Sequence, residues 1–148
     1  MEVIVDRIAR EQTARLVEAF PMLLELVRPL PVRVALKVRG RIVFIDPADC
    51  VAVQADGNYV FLWRASDSYM LREPISAVAK KLEPYGFIRI HRSVLVNASF
   101  VEEIQPYSTG EYGIRMRGGK EYTVSRTYKK NLRSLAAFWI GTGSFFTD

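Results

Sequence analysis

The stretch Phe87-Ile88-Arg89-Ile90-His91-Arg92-Ser93-Val94-Leu95-Val96-Asn97 decides how this chain reads, together with Tyr122-Thr123-Val124-Ser125-Arg126-Thr127-Tyr128-Lys129-Lys130-Asn131-Leu132. Each carries the apolar and β-branched residues of a strand into or alongside positive charge and hydroxyls. Such a surface suits phosphates and the edges of bases. The first piece reads as strand from Ile88 to Asn97. The second ends a strand at Val124 and places Ser125 as the N-cap of a last helix, Arg126 to about Trp139. On that helix Tyr128, Leu132, Leu135 and Trp139 line one face. Arg126, Lys129, Lys130 and Arg133 line another, at i, i+3, i+4 and i+7. Taken alone, that basic face fits a solvated surface helix as well as it fits a ligand. A second basic segment, His91-Arg92-Ser93, and a polar loop, Asp56-Gly57-Asn58-Tyr59, tip the reading toward a polyanion.

Outward from these pieces the period is mostly two. Val32, Val34, Leu36 and Val38 alternate with Arg33, Ala35, Lys37 and Arg39, a strand with one wet face. Gly40 turns the chain into Arg41–Ile45, and Asp46-Pro47-Ala48-Asp49 turns it again. Strands over 50–55 and 58–64 are joined at Asp56-Gly57, a short hairpin signal. One helix interrupts: Pro74 stands near its first turn, Ile75, Val78, Ala79 and Leu82 give the spacing, and Pro84 and Gly86 stop it. Further strands follow over 100–105, 112–116 and 120–124, the last two joined by Gly118-Gly119. The expectation is a mainly antiparallel β domain over 32–148 with one internal helix and helical ends.

Residues 1–31 differ in kind. Ala9, Thr13, Leu16, Phe20, Leu23, Val27 and Leu30 follow four- and three-residue steps, the stripe of an amphipathic helix. Pro21 kinks it or starts a second helix, and Pro29 and Pro31 end it. A helical flap and a dimerisation pair both fit, since two heptads do not prove a coiled coil.

At 148 residues with 49% hydrophobic content, there is enough for a core, and 25% charged residues argue against global disorder. The formal charge of +5 is uneven. Residues 1–31 hold four Arg against five acids, which leaves 17 Lys and Arg against 11 acids in the remainder, a basic balance that suits nucleic acid first and an anionic membrane surface second. The lone cysteine, Cys50, excludes an internal disulfide and sits in an apolar run as a small buried hydrophobe. No signal peptide is seen, and no apolar run approaches the about 20 residues that span a bilayer. The chain reads as cytoplasmic, without membrane insertion.

In order and content these pieces resemble the LytTR family of bacterial DNA-binding domains from about residue 33 to 135. The resemblance runs through the Ile45-Asp46-Pro47-Ala48-Asp49 turn and through Ala55-Asp56-Gly57-Asn58-Tyr59, at the place of the family's Glu-Ala-x-x-Asn-Tyr signature. It continues through Phe87-Ile88-Arg89-Ile90-His91-Arg92-Ser93, Val96-Asn97, the Gly119 hairpin and Val124-Ser125-Arg126 with Tyr128-Lys129 and Leu132. Gln54 departs from the signature's usual Glu. The resemblance implies an elongated antiparallel β fold that inserts loops, not a recognition helix, into successive major grooves of double-stranded DNA. It places DNA contacts at Asn58, Tyr59, Arg92 and Arg126, with Lys129 and Lys130 on phosphates and Ser93 assisting. His91, the sole histidine, reads either as a contact or as a structural residue beside one. The family often carries a receiver domain upstream. Thirty-one residues cannot hold one, so input is expected from a partner, an upstream sensor or inhibitor, or from the N-terminal helices. Repeated half-sites and a homodimer are expected.

Two rival classes remain. An interaction module would use the basic face for an acidic protein partner. An enzyme would need a base or nucleophile, and Glu102 and Glu103, adjacent on a strand, are expected to point to opposite faces. One His and one Cys give no metal-ligand spacing, and no phosphate-cradling Gly-rich loop is present. No cofactor is expected.

Overall fold

The computed structural model describes residues 30–141 and Gly143. The expected N-terminal helices and most of the aromatic tail after Trp139 lie outside the described residues. Among these, the strands in chain order are β1 (Val34–Val38), β2 (Arg41–Ile45), β3 (Cys50–Asp56), β4 (Tyr59–Arg64), β5 (Ser68–Leu71), β6 (Phe87–His91), β7 (Val94–Asn97), β8 (Val101–Pro106), β9 (Tyr112–Met116) and β10 (Glu121–Val124). One α-helix, α1 (Ile75–Leu82), interrupts them where expected, with Pro74 at its N-cap and Gly86 at φ +91 ending the short 3-10 turn behind it. Every pairing is antiparallel, so the mainly β expectation matches the structure.

The strands form three sheets. The largest has the order β5-β4-β3-β7-β6, a second has β10-β9-β8, and β1 and β2 form a hairpin by themselves. Arg39 (φ +50) and Gly40 (φ +77) close that hairpin with two left-handed residues, the pattern of a type I′ turn. The five-stranded sheet is covered on both faces. On one side Cys50, Val53, Val60, Leu62 and Leu95 pack with Val38, Ile45, Ala79 and Leu82 of the β1–β2 hairpin and α1. On the other, Ala52, Ile88, Ile90, Val94 and Val96 pack with Tyr112, Ile114, Met116, Val124 and Leu132. That two-sided burial explains why β3 opens with four buried residues and β7 is buried throughout, with no polar alternation.

Among the described residues, Asn97 is the one polar residue that is buried. Its amide donates to the Cys50 carbonyl at 2.9 Å, and its Oδ1 accepts from the Ser99 N–H at 3.0 Å. It thereby ties the end of β7 to the start of β3 and supplies an acceptor to the turn that leads into β8.

Four expectations need correction. The 88–97 segment is not one strand but the hairpin β6–β7, turning at Arg92-Ser93 between His91 and its partner Val94. The β3–β4 turn lies one residue later than expected, at Gly57-Asn58, because Gly57 (φ +60) takes the left-handed first position of a type II′-like turn and Asp56 pairs with Tyr59. Glu102 and Glu103 do not diverge: a bulge between Val101 and Glu103 sets both against Arg115, whose guanidinium lies 3.8 Å from one carboxylate and 2.9 Å from the other. Finally, Arg126–Phe138 is a chain of 3-10 turns, and Ser125 makes no side-chain cap. With three residues per turn, i and i+3 eclipse, so Lys129, Leu132 and Leu135 share a row while Lys130 and Arg133 share a different, exposed one. The four cations therefore do not form a single face.

Cys50 is fully enclosed, its thiol 3.6 Å from the Ala52 carbonyl, and burial pushes its pKa from 9.0 up to about 12. The raised value means the unfolded chain ionises first, so this group's share of stability is intact below pH 9 and is lost as pH climbs toward 12. At pH 8 an aromatic disulfide reagent is expected to leave the native protein unlabelled and to modify one thiol per chain after denaturation. Rapid labelling of the native protein would contradict the enclosed site.

Candidate nucleic-acid interface

The site is built by strand register. Gln54 pairs with Val94 across β3 and β7, and beyond that pair the Ala55 N–H donates to the Ser93 carbonyl at 2.8 Å. The β3–β4 turn and the β6–β7 turn therefore emerge side by side at one end of the central sheet. Asn58 and Tyr59 are exposed on the first, Arg92 on the second. The chain after β10 joins them from the other side: the Ser125 N–H donates to the Ile90 carbonyl at 3.0 Å, next to the end of β6. Three segments distant in sequence thus meet, and they are the three singled out by their residue types.

The second turn is made by side chains, without glycine. The Ser93 N–H donates to Nδ1 of His91 at 3.1 Å, and the Ser93 hydroxyl lies 2.8 Å from the same nitrogen. Because Nδ1 accepts, the ring proton belongs on Nε2. His91 and Ser93 are both half-buried, whereas Arg92 between them is exposed. The His91–Ser93 hydrogen bonds thus bracket the exposed Arg92.

Arg126 is exposed and donates to the Thr109 carbonyl of the β8–β9 turn, with its guanidinium against Gly110. Lys129 is half-buried with its ammonium 5.2 Å from the centre of the Tyr112 ring, while Lys130 is exposed. Two contributors escaped sequence reasoning. One is the Tyr107–Glu111 turn that positions Arg126; its Ser-Thr-Gly chemistry was the available signal. The other is Arg89, whose Nε and Nη2 donate to the carbonyls of His91 and Arg92 at 3.3 and 2.5 Å and whose guanidinium lies 5.4 Å from the Tyr128 ring centre. Its own carbonyl accepts from the Asn131 amide at 2.8 Å. Among the described residues no cluster of His, Cys, Asp and Glu is placed to hold a metal, and no helix is long and apolar enough to cross a membrane.

This arrangement, an antiparallel β core with exposed Asn, Tyr and Arg at one end, can be compared with known proteins. Residues 40–137 match the family model described as the LytTr DNA-binding domain. The chain belongs to the LytTR DNA-binding domain family. Among similar proteins, the sensory transduction protein LytT of Bacillus subtilis is 35% identical over 103 residues, covering 70% of this chain and 43% of that protein. The sensory transduction protein LytR of Staphylococcus saprophyticus is 30% identical over 100 residues, covering 68% of this chain and 39% of the relative. The chain thus spans less than half the length of these relatives. A solved LytTr DNA-binding domain of a putative methyl-accepting/DNA response regulator from Bacillus cereus superposes with a TM-score of 0.63 at 21% identity. It covers 74% of this chain and all of that one, and agrees with the fold. DNA binding is accordingly the functional class of this LytTR domain.

His91→Ala leaves the Ser93 amide without its acceptor and is expected to cost about 1–2 kcal/mol, read as a lower urea midpoint at unchanged slope. His91→Asn, whose carbonyl can accept the same N–H in an Asx turn, should recover part of that loss. An Ala variant as stable as the parent would remove the imidazole from the turn.

Proposed function

We propose that this LytTR domain binds double-stranded DNA sequence-specifically by inserting its turns into successive major grooves. Arg92 and Arg126 read base edges, Asn58 and Tyr59 contact the adjoining bases or backbone, and Ser93 supports them. Lys129 and Lys130 hold phosphates, and His91 acts from beside the contact. The observation that carries this reading is the convergence of the 57–59, 91–93 and 125–126 segments at one end of the central sheet, through the Ala55–Ser93 and Ser125–Ile90 hydrogen bonds. Arginine is suited to the role because its planar fork matches the two acceptors of guanine, and lysine serves phosphates as a point charge. A rival reading, an acidic protein partner on the same face, lacks support of its own.

The test is selection of bound duplexes from a random pool, followed by variants. Arg92→Ala or Arg126→Ala should each cost about 1–3 kcal/mol on the selected site and little on random duplex. Lys129→Ala and Lys130→Ala should weaken all duplexes alike and each lower the log–log salt slope by about one. A pool that yields no preferred sequence would overturn specific reading, and an unchanged slope would move the lysines off the DNA.

We further propose that residues 1–31 dimerise the protein on paired half-sites in the cytoplasm, with input arriving through a sensor or inhibitor partner. Support comes from the apolar stripe Leu16, Phe20, Leu23 and Val27. Sedimentation should show a dimer that deletion of 1–30 converts to monomer, with the loss falling on paired sites rather than single ones. A full-length monomer whose paired-site affinity survives the deletion would refute it.

A further inference from the structure

We propose that Arg89 is a positioning residue that fixes the spacing between the Arg92 turn and the Arg126–Asn131 segment. The inference rests on the DNA-reading role of those two segments and names what keeps them in one register. Arg89 stands on β6, half-buried, where the two segments meet. Its Nε donates to the His91 carbonyl at 3.3 Å and its Nη2 to the Arg92 carbonyl at 2.5 Å, so one edge of the guanidinium grips the backbone of the turn. The cation also lies 5.4 Å from the centre of the Tyr128 ring, and the Arg89 carbonyl accepts from the Asn131 amide at 2.8 Å. Two residues of the far segment and two of the turn are therefore held through a single residue.

The chemistry is particular to arginine. Two parallel donors for two successive carbonyls, on a plane that also rests on a ring, need a rigid fork. A lysine in the same place keeps the charge and loses the plane. These inward contacts also separate Arg89 from a phosphate clamp: its charge is engaged by carbonyl oxygens and a ring at the base of the turn, while Arg92 beside it is exposed. Its effect on DNA is thus exerted on where Arg92 and Arg126 stand, and it belongs to specificity rather than to general affinity.

The experiment compares Arg89→Lys, Arg89→Ala and Asn131→Ala with the parent on a selected duplex and on a random duplex across a salt series. Arg89→Lys should lose roughly tenfold or more on the selected site, the scale of a misplaced base contact, while random-duplex affinity and salt slope stay at the parent's values. Arg89→Ala should lose at least as much on the selected site. Combined with Asn131→Ala it should lose less than the product of the single losses, because both tie the same two segments. Thermal melting identifies a variant that has failed to fold, and Arg89→Lys and Asn131→Ala then carry the test. Parent-like selected-site binding by Arg89→Lys would overturn the proposal by showing that charge suffices. Equal losses on both duplexes with a reduced salt slope would overturn it by making Arg89 a phosphate contact. A parent that prefers no duplex would fail the DNA reading itself, a distinct result.

Discussion

The pairing of β3 with β7 at the centre of the five-stranded sheet is the constraint from which the rest follows. Its register, Ala52 with Val96, Val53 with Leu95 and Gln54 with Val94, is enforced from both faces. Val53 and Leu95 face the hairpin and helix, whereas Ala52, Val94 and Val96 face the three-stranded sheet. A slip of one residue would reverse every one of these side chains, exchanging the contents of two packed layers. The register therefore cannot drift, and with it the β3–β4 and β6–β7 turns are held abreast. Asn97 secures the opposite end by bonding the Cys50 carbonyl, so the pair is pinned at both ends by polar contacts and along its middle by packing.

The segment after β10 extends the same logic to a third piece of chain. Leu132 is fully buried against Ile90 and its neighbours, and Ser125, Tyr128 and Asn131 reach β6 by a backbone bond, a ring contact and an amide. The 3-10 geometry matters here. An α-helix would bring residues four apart into line, whereas three-residue turns put Lys129 in the row of Leu132, over the Tyr112 ring, and leave Lys130 outside. The segment is thus a clasp that buries Leu132 against the sheet and leaves Lys130 and Arg133 in an exposed row.

How much of this was legible in the sequence depended on what made each element. Strands with one wet face, such as Val34–Val38, announced themselves by alternation, and α1 by its Pro and Gly punctuation. The motif order sufficed to recognise the family, and it brought forward Asn58, Arg92 and Arg126. Legibility failed where side chains or sheet packing did the work of glycine and proline. The turn at Arg92-Ser93 is closed by the imidazole of His91, and no glycine or proline marks it. The bulge at Glu102 leaves no local signature at all. The apolar spacing of Tyr128, Leu132, Leu135 and Trp139 fits an α-helix, and the i to i+3 backbone hydrogen bonds, such as Tyr128 N–H to the Ser125 carbonyl, show that three-residue turns won. Arg89 was passed over because its partners are backbone carbonyls, which no side-chain pattern reveals.

The same distinction governs the charge. The count of 21 Lys and Arg overstates how many cations can reach out to a polyanion, because several are engaged within the fold. Arg64 is paired with Asp67 at 2.6 Å, a hydrogen bond that holds this carboxylate below its usual range, and Arg115 is shared between Glu102 and Glu103. Lys120 lies 4.0 Å from the centre of the Trp63 ring, Arg117 rests on Phe100, and Arg33 on Phe44. Those contacts keep the cations close to the surface and limit how far each can reach toward phosphate. Arg92 and Lys130 are exposed beside the converging turns, and Arg126 is steered by a single carbonyl. Affinity for DNA in general scales with the number of phosphates neutralised, whereas discrimination scales with how rigidly a few donors are aimed. This fold holds several of its cations against its own rings and carboxylates and sets Arg92 and Arg126 on hydrogen-bonded turns, so the proposed reading would rest on aim as well as on charge.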